Sequence, residues 1–446
     1  MENNMHAPVL TLKASVDRSL AWRGGDSVRY LVAEITTPVP DAKSQIVVRP
    51  LNLAIVIDAS GSMSGDKLES AKQAAIGVVS ALGERDRISI ASFADDVIAH
   101  VDGMVPNADG QSRARHAIMA IQPRGSTNLS DGWFAGAESV SKGMDTVAGT
   151  MNRVILLSDG QANRGIIDPA HLAEHATELR LRGVFTSTVG IGDDYTAPVL
   201  QAIAENGGGR MHDAETSGEI VEVILGELLE TKLIAAENVT VEVQVPANVQ
   251  ATLVGSYPVN NDGVLSIMMG SLVGGRTATA VVRLKLPPGH EGDAMKFLVS
   301  ARGYAPGTKD ILETTRDEVK IRLSPGHENS GQVRNLHVTT TVARVWQSII
   351  TKTGAAMNRN GERRQARSYL ERELKWFEQY CHEIPELTVL VKEVSLILQQ
   401  IDRVWSERTR KEMEFSSYAL RNSKLDLRAM PRRSWSERLM DEKDKL

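Results

Sequence analysis

The chain has 446 residues, too many for one compact core, and predicts two to three domains because single cores stop growing near roughly 250 to 300 residues. Hydrophobic residues make up 42% and charged residues 24%, which excludes a disordered chain or a membrane array. The 51 basic and 56 acidic residues give a net charge of −5, so no overall field attracts nucleic acid or an anionic membrane.

Cysteine content and the N-terminal sequence bear on the compartment. Cys381 is the single cysteine, so no intramolecular disulfide can form. Residues 1–12 lack a basic segment followed by an apolar run, and no stretch approaches the roughly 20 apolar residues that cross a bilayer. We therefore expect a cytoplasmic protein without membrane insertion.

The N-terminal residues 1–50 predict a pair of β-strands. Residues 9–12 and 28–32 alternate in strand fashion, and the turn sequence Gly24-Gly25-Asp26 lies between them. Two short strands cannot form a stable sheet alone, so we expect them to pair with strands from a later β-domain.

Residues 51–232 predict an α/β domain. The apolar run 51–57 is typical of a central strand buried on both faces. Further strands are predicted at 88–93, 97–101, 154–157 and 184–189, the first two joined as a hairpin, and helices at 67–82, 111–121, 130–142, 170–181 and 197–205. This alternation predicts a Rossmann-like, doubly wound, mostly parallel sheet with helices on both faces.

After residue 232 the sequence predicts first a β-domain, then a helical region and a charged tail. Strand patterns at 239–243, 278–286, 297–301 and 319–323 predict an antiparallel β-sandwich over residues 233–326. We expect the α/β domain to be inserted in or flanked by this sandwich. Residues 327–410 predict a C-terminal helical region with helices at 339–351, 361–381 and 387–408, and residues 411–446 a weakly ordered, charged tail.

Oxygen-bearing side chains follow the predicted strand ends in three places. Asp58, Ser60 and Ser62 come directly after the buried strand, and alternate residues of an extended loop project to one side. Thr127 precedes a predicted helix, and Asp159 follows the strand 154–157. Open α/β sheets bind ligands at their carboxyl edge, and a hard cation such as Mg²⁺ takes oxygen ligands. These five residues therefore predict a metal site.

This pattern resembles the von Willebrand factor A family, whose metal-ion-dependent adhesion site has the pattern D-x-S-x-S with a distant Thr and a distant Asp. All five positions match, in a resemblance that covers about residues 51–232. Residues 190–194 and 207–210 are also similar to the family. The resemblance implies Mg²⁺, with Mn²⁺ as an alternative, and capture of a partner protein through an Asp or Glu carboxylate. The flanking architecture is similar to bacterial proteins and to inter-alpha-trypsin inhibitor heavy chains.

The favoured hypothesis is therefore a non-enzymatic, metal-dependent binding module or adaptor. Its resemblance to some cytoplasmic bacterial proteins with such domains suggests an AAA+ ATPase system as the partner. A capping turn at residues 58–62 is the structural alternative, since Asp and Ser commonly cap helices. A second hypothesis is a purely architectural protein whose site is empty.

A third hypothesis is a zinc metallohydrolase, because residues 171–175 match H-x-x-E-H on a predicted helix. No third ligand can be assigned, so we interpret these residues as a solvated helix face. Cys381 with His382 could form a nucleophile pair, but adjacent residues on a helix point apart. A basic cluster could contact phosphates or an acidic partner surface, but acidic residues lie nearby, so we interpret it as a solvated, salt-bridged face; its basic residues are Arg359, Arg363, Arg364 and Arg367, and the acidic ones are Glu362, Glu371 and Glu373.

Overall fold

The computed structural model describes residues 10–37, 49–144, 150–159, 162–192, 197–214, 216–232, 234–255, 257–306, 310–406, 409–410, 412–414, 416–417 and 435–444. The chain forms two compact units. One consists of residues 45–233, and the other of residues 1–44 together with 234–446. In chain order, the first unit is thus an insertion between two segments of the second.

Three strands lie at the N-terminus: β1 (Thr11–Val16), β2 (Leu20–Trp22) and β3 (Ser27–Thr36). β1 and β3 pair antiparallel, with Thr11 opposite Thr36 and Val16 opposite Leu31. β2 was not predicted, because three residues are too few to show an alternating pattern.

A six-stranded sheet forms the centre of the inserted unit. Its strands are β4 (Leu51–Asp58), β5 (Arg87–Phe93), β6 (Val97–Met104), β7 (Met151–Ser158), β8 (Val184–Ile191) and β9 (Gly208–Ala214). Their order is β6-β5-β4-β7-β8-β9, with only β6 antiparallel to its neighbour. β4 and β7 are buried along their whole length, as strands covered on both faces must be. The predicted Rossmann-like, mostly parallel fold is confirmed.

Helices cover both faces of this sheet: α1 (Asp66–Ala81), α2 (Ala108–Met119), α3 (Leu129–Lys142), α4 (Pro169–Leu181), α5 (Ala197–Asn206) and α6 (Ser217–Lys232). Side chains of α1, α2 and α6 share one apolar core with the sheet, and those of α3, α4 and α5 share another. Asn107, Asn128 and Asp168 cap α2, α3 and α4 by accepting hydrogen bonds from main-chain N–H groups.

Sequence reasoning missed α6 although its start carries a signal. The Thr216 hydroxyl accepts from the Glu219 N–H, and the Glu219 carboxylate accepts from the Thr216 N–H, both at 3.3 Å. This reciprocal arrangement is a capping box, and the Thr-x-x-Glu sequence predicts it. The branched residues Ile220, Val221 and Ile224 obscured the helix because they also favour strands.

The second unit contains β10 (Ile234–Gln244), β11 (Gln250–Val254), β12 (Val259–Asn261), β13 (Leu265–Val273), β14 (Thr277–Leu286), β15 (Ala294–Tyr304), β16 (Ile311–Glu313) and β17 (Asp317–Ser324). One sheet has the order β1-β3-β14-β11. The other has the order β12-β13-β10-β15-β17-β2, with β16 on β15. Inward residues of both sheets form a single apolar core. Strands β11, β12, β13 and β16 were not predicted.

β3 connects the N-terminal segment to this unit. It pairs antiparallel with β14 over ten residue pairs, from Ser27 opposite Leu286 to Thr36 opposite Thr277. Leu31 contributes to the core shared by the two sheets, whereas Tyr30 and Val32 contribute to a core formed with helices. The alternation along β3 thus buries both of its faces.

The C-terminal helical region is confirmed, with helices α7 (Gly326–Gly331), α8 (Leu336–Arg359), α9 (Arg363–Cys381) and α10 (Thr388–Gln400). α8 extends beyond the predicted 339–351. The prediction of a helix over 387–408 was wrong at its end, because α10 stops at Gln400. The Asn358 side chain accepts a hydrogen bond from the Trp405 N–H at 3.2 Å and donates one to the Arg403 carbonyl at 2.7 Å, so the chain turns and buries Trp405.

The predicted charged tail is described only in part. A helix spans Trp435–Asp444, and Trp435 and Leu439 are buried among the helices of the second unit, so this stretch is not the weakly ordered segment we expected. Residues 418–434 lie outside the described residues. Within the basic cluster, Arg359 pairs with Glu414 and Arg367 with Asp402 and Glu371. Among the described helices, none has the length and apolar content to cross a bilayer.

Candidate metal site

The predicted metal residues come from three segments at the carboxyl edge of the six-stranded sheet. Asp58 is the last residue of β4, and Asp159 follows the last residue of β7. These strands are parallel neighbours, with Ile57 opposite Leu157. Thr127 lies two residues before α3, whose cap is Asn128. The parallel order of the strands therefore brings residues about 100 positions apart to one edge of the sheet.

Burial separates the five side chains into two groups. Asp58 and Asp159 are 0% exposed, Ser60 is 1% exposed and Thr127 is 2% exposed. Ser62, in the short 3-10 turn Gly61–Met63, is exposed to solvent. Four candidate ligands thus lie in the protein interior and the fifth lies on its surface.

Hydrogen bonds hold the Asp58 carboxylate in place. The Ser60 N–H donates to Asp58 Oδ1 at 2.9 Å, and the Ser158 hydroxyl donates to Asp58 Oδ2 at 2.6 Å. The hydroxyl oxygens of Ser60 and Ser62 are 3.1 Å apart. The pKa of Asp58 is raised to about 6, chiefly because burial disfavours the charged carboxylate; the hydrogen bonds from Ser158 and Ser60 act to lower this pKa, and the negative charge of Asp159 acts to raise it.

The Thr127 loop is attached to the Asp58 loop by main-chain hydrogen bonds. The Gly61 N–H donates to the Gly125 carbonyl at 3.1 Å, and the Arg124 N–H donates to the Ala59 carbonyl at 2.7 Å. Thr127 itself donates its N–H to Asn163 Oδ1 at 2.9 Å. Because these contacts are made by the backbone, the Thr127 hydroxyl remains a candidate ligand.

Asp159 has a cationic neighbour in α1. Lys67 Nζ lies 3.3 Å from Asp159 Oδ2, and the Lys67 side chain is 23% exposed. A fully buried carboxylate requires a counter-charge or hydrogen-bond donors, because burial without them is costly. Lys67 supplies one positive charge to an edge that carries two buried carboxylates.

The donors fit a hard divalent cation better than a soft one. In the described part of the chain, no group of three or more His, Cys, Asp or Glu side chains could hold a metal. The candidate set instead combines two carboxylates with three hydroxyls, and Mg²⁺ and Mn²⁺ prefer such oxygen donors. Asp58 and Asp159 are both fully buried at this edge, and two buried carboxylates attract a cation.

Comparison with protein families agrees with this fold. The family model for the von Willebrand factor type A domain matches residues 52–224. These residues form a von Willebrand factor type A domain. The match begins within β4 and ends within α6, so it covers the six-stranded sheet and its helices. Such domains typically mediate protein–protein interaction.

Two curated relatives are similar to part of this chain. An uncharacterized protein of Escherichia coli, YfbK, is 31% identical over 198 residues, which are 43% of this chain and 33% of the relative. The human inter-alpha-trypsin inhibitor heavy chain H4 is 26% identical over 293 residues, which are 62% of this chain and 30% of the relative. The chain thus spans about a third of the length of these two relatives.

Two solved structures are similar over nearly the whole chain. A von Willebrand factor type A protein from Catenulispora acidiphila has a TM-score of 0.67 at 15% identity, with coverage of 94% of this chain and 98% of that chain. The ArnB paralog VWA2 from Sulfolobus acidocaldarius has a TM-score of 0.56 at 15% identity, covering 94% and 100% of the two chains. At this identity the similarity shows the shared fold alone.

The H-x-x-E-H residues of the type A domain make separate contacts. His171 Nδ1 lies 3.5 Å from the Asp168 carboxylate, and both side chains are more than half exposed. The His175 ring contacts the Phe134 ring edge-on, with centroids 5.3 Å apart. No third zinc ligand is present near them among the described residues. The geometry therefore gives the zinc hypothesis no support.

Cys381 and His382 also point to different surroundings in the second unit. Cys381 is buried among the helices, and burial raises the pKa of its thiol to about 12. The His382 side chain is 73% exposed, and its Nδ1 lies 3.6 Å from Glu383. A thiol whose pKa is raised by burial is a poor nucleophile.

Sequence reasoning overlooked three residues that position the candidate ligands. Ser158 holds Asp58, Asn163 holds the Thr127 main chain, and Lys67 contacts Asp159. Ser158 adjoins Asp159, so its position after a buried strand was an available signal. The other two contacts join residues 36 and 92 positions apart, and no local pattern encodes them.

Proposed function

We propose that the type A domain is a metal-dependent protein-binding module that takes Mg²⁺, or Mn²⁺, at its carboxyl edge. Asp58, Ser60, Ser62, Thr127 and Asp159 would hold the cation. A bound cation supplies an electrophilic centre that accepts a carboxylate oxygen from an Asp or Glu of the partner. The partner protein belongs, in this proposal, to an AAA+ ATPase system in the cytoplasm.

One observation carries the proposal: two fully buried carboxylates lie at the ends of neighbouring parallel strands, beside buried hydroxyls on connected loops. Burying two like charges is unfavourable, so a site built in this way is better explained by a cation than by turn formation alone. Asp58 does accept a bond from the Ser60 N–H, as a turn residue would. Asp159, however, directly follows a strand about 100 residues further along the chain and has no role in that turn.

Within this arrangement the protein residues have separate tasks. Ser158 and the Ser60 N–H orient Asp58, so the carboxylate does not have to be ordered when the cation arrives. Asn163 fixes the Thr127 backbone. Ser62 is exposed and lies on the solvent side, where a partner's carboxylate would approach.

Calorimetric titration of Mg²⁺ into the purified chain, followed by capture of partners from native lysate with Mg²⁺ or with a chelator, tests the proposal. We expect uptake of one Mg²⁺ and chelator-sensitive capture. Asp58→Ala, Thr127→Ala and Asp159→Ala should each reduce Mg²⁺ uptake and capture while the fold is retained. Asp109→Ala is the matched control, because Asp109 lies on α2 and its side chain is 79% exposed.

The alternatives predict different results. An architectural protein would take up no divalent ion, and capture would not respond to the chelator. A zinc hydrolase would contain stoichiometric zinc and would lose activity on Glu174→Ala. Normal partner capture by the Asp58→Ala protein would contradict the proposal.

A further inference from the structure

Arg164 lies in a loop that runs beside the candidate metal ligand Thr127. The main-chain N–H groups of Asn163 and Arg164 both donate to the Thr127 carbonyl, at 3.1 and 3.2 Å. In return, the Thr127 N–H donates to Asn163 Oδ1 at 2.9 Å. The Arg164 backbone is therefore bonded directly to a residue that we propose as a metal ligand, although Arg164 does not belong to the metal pattern.

Contacts that follow Arg164 in the chain hold the same loop. The Ile166 N–H donates to the Ser130 hydroxyl at 3.0 Å. Gly165 has a φ of +71°, and a Cβ at this position would overlap Asn128 Oδ1 and Ser130 Oγ. Only glycine combines this backbone conformation with so close an approach to the start of α3. The loop is thus packed against the start of α3, and Arg164 has a defined position at this edge of the sheet.

The Arg164 side chain extends into solvent, and one of its nitrogens contacts Asp95. The side chain is 61% exposed, and its Nη1 lies 3.0 Å from Asp95 Oδ1. The same carboxylate oxygen accepts a hydrogen bond from the Ser126 hydroxyl. Gly125 makes this arrangement possible, because a Cβ there would overlap the Asp95 carboxylate. Asp95 therefore holds the guanidinium group beside the loop that contains Thr127.

The rest of the guanidinium group is available for a further contact. Arg164 pairs with Asp95 through Nη1, and its Nε and Nη2 donate no hydrogen bond within the part of the chain that the structure describes. These two nitrogens carry parallel N–H groups that match the two oxygens of a carboxylate. An exposed ion pair such as that of Arg164 with Asp95 adds little to stability. Its effect is to fix a carboxylate-binding group beside the candidate metal site.

Resting on the function proposed above, we infer that Arg164 binds a second carboxylate of the partner while the metal takes the first. The partner is then a protein segment with two acidic side chains, and a segment with a single Asp or Glu binds less tightly. Thr127 is a proposed metal ligand, and its carbonyl bonds to the Arg164 backbone, so one short acidic segment can reach both the cation and Arg164. Arg164 thus determines which acidic segments the site prefers.

Synthetic peptides with one or two Asp residues test the inference on the Mn²⁺-loaded protein. One peptide has a single Asp between glycines, and the others add a second Asp one, two or three positions away on either side. Water-proton relaxation by Mn²⁺ reports how tightly each peptide binds. In the unaltered protein the best two-Asp peptide should bind about tenfold more tightly than the one-Asp peptide. About twofold of this is statistical, because either carboxylate can reach the metal, and about fivefold comes from an exposed Arg–carboxylate pair.

Arg164→Gln removes the guanidinium group and keeps the main-chain bonds of the loop. The ratio of two-Asp to one-Asp affinity should fall to about two in this variant. The matched control is Arg182→Gln, because Arg182 is also exposed and lies in the same unit, two residues before β8. β8 runs parallel to β7, and its eight residues place Arg182 about 26 Å from the metal edge of the sheet. The ratio in this control should equal that of the unaltered protein.

An arginine with a merely structural role would give a different result. Disturbing the Thr127 loop would weaken the binding of Mn²⁺ and of every peptide by a similar factor, so the ratio of peptide affinities would not change. A ratio near two in the unaltered protein, or an equal ratio in Arg164→Gln, overturns the inference and leaves the proposed function standing. If the unaltered protein takes up no Mn²⁺, or binds no peptide of the series, the proposed function fails and the inference fails with it.

Discussion

Gly132→Ala tests how the packing of α3 supports the candidate metal site. Gly132 lies in the first half of α3, five residues after Thr127. A Cβ at this position would lie 2.4 Å from Phe93 Cγ, 2.5 Å from Cδ1 and 2.7 Å from Cβ. Phe93 is fully buried, so its ring cannot move into solvent. The added methyl group must therefore push α3 away from the sheet or displace β5.

Two terms of opposite sign set the magnitude. Replacing a helical glycine by alanine stabilises a helix by about 1 kcal/mol, because alanine loses less backbone entropy. Overpacking a well-packed core costs about 1–3 kcal/mol, and three contacts below 3 Å put this site at the upper end. We expect a net loss of about 2 kcal/mol in the free energy of unfolding of the type A domain.

Gly218→Ala supplies the matched control. Gly218 lies in the first turn of α6, and no atom lies within 4 Å of a Cβ built there. Only the helix-stabilising effect of alanine then applies, so the free energy of unfolding of this variant should be higher by up to about 1 kcal/mol. The two glycine substitutions thus predict opposite signs.

Hydrogen exchange followed by mass spectrometry measures the effect within the type A domain. Peptides from α3 and β4 report this unit separately from the unit formed by residues 1–44 and 234–446. Movement of α3 also shifts Asn128 and Thr127 at its start, so Mg²⁺ affinity should fall in Gly132→Ala and stay unchanged in Gly218→Ala. Equal or greater protection in Gly132→Ala would refute the close contact between α3 and Phe93.

Three further results are expected. Cys381 in the native protein should react with a thiol reagent at pH 8 far more slowly than in the urea-unfolded protein, because burial raises its thiol pKa to about 12; equal rates would contradict this. Phe377→Ala should destabilise the second unit by about 3–5 kcal/mol, since Phe377 is fully buried against Trp346, yet leave Mg²⁺ affinity unchanged; a coupled loss of affinity would oppose this. Glu174→Ala should alter neither zinc content nor Mg²⁺ affinity, as elemental analysis and calorimetry can show.

Local patterns in the sequence were sufficient for much of the architecture. The apolar run at 51–57 indicated a strand buried on both faces, and β4 is buried throughout. The alternation of strands and helices indicated a mostly parallel sheet, which in turn placed Asp58 and Asp159 at one edge. Such inferences succeed because a strand buried on both faces and a helix with one apolar face each show a recognisable pattern of apolar residues within about ten positions.

Short or ambiguous elements were missed or misplaced. β2, β12 and β16 have three residues each and show no period, and their pairing partners alone make them strands. α10 ends earlier than its apolar pattern suggested. The side chain of Asn358, in α8, forms hydrogen bonds with the main chain at Arg403 and Trp405, and these contacts hold that segment outside the helix. In both cases a contact from a distant part of the chain decides the local conformation.

The sequence by itself was enough to predict the alternation of strands and helices between residues 51 and 206, and it contains the D-x-S-x-S spacing directly after a buried strand. Only the tertiary structure decided that Ser158 holds Asp58, that Lys67 contacts Asp159, and that β3 pairs with β14 across more than 240 residues. Periodicity records which face of an element is buried. It does not show which distant residue packs against that buried face, because that depends on how the elements pack together.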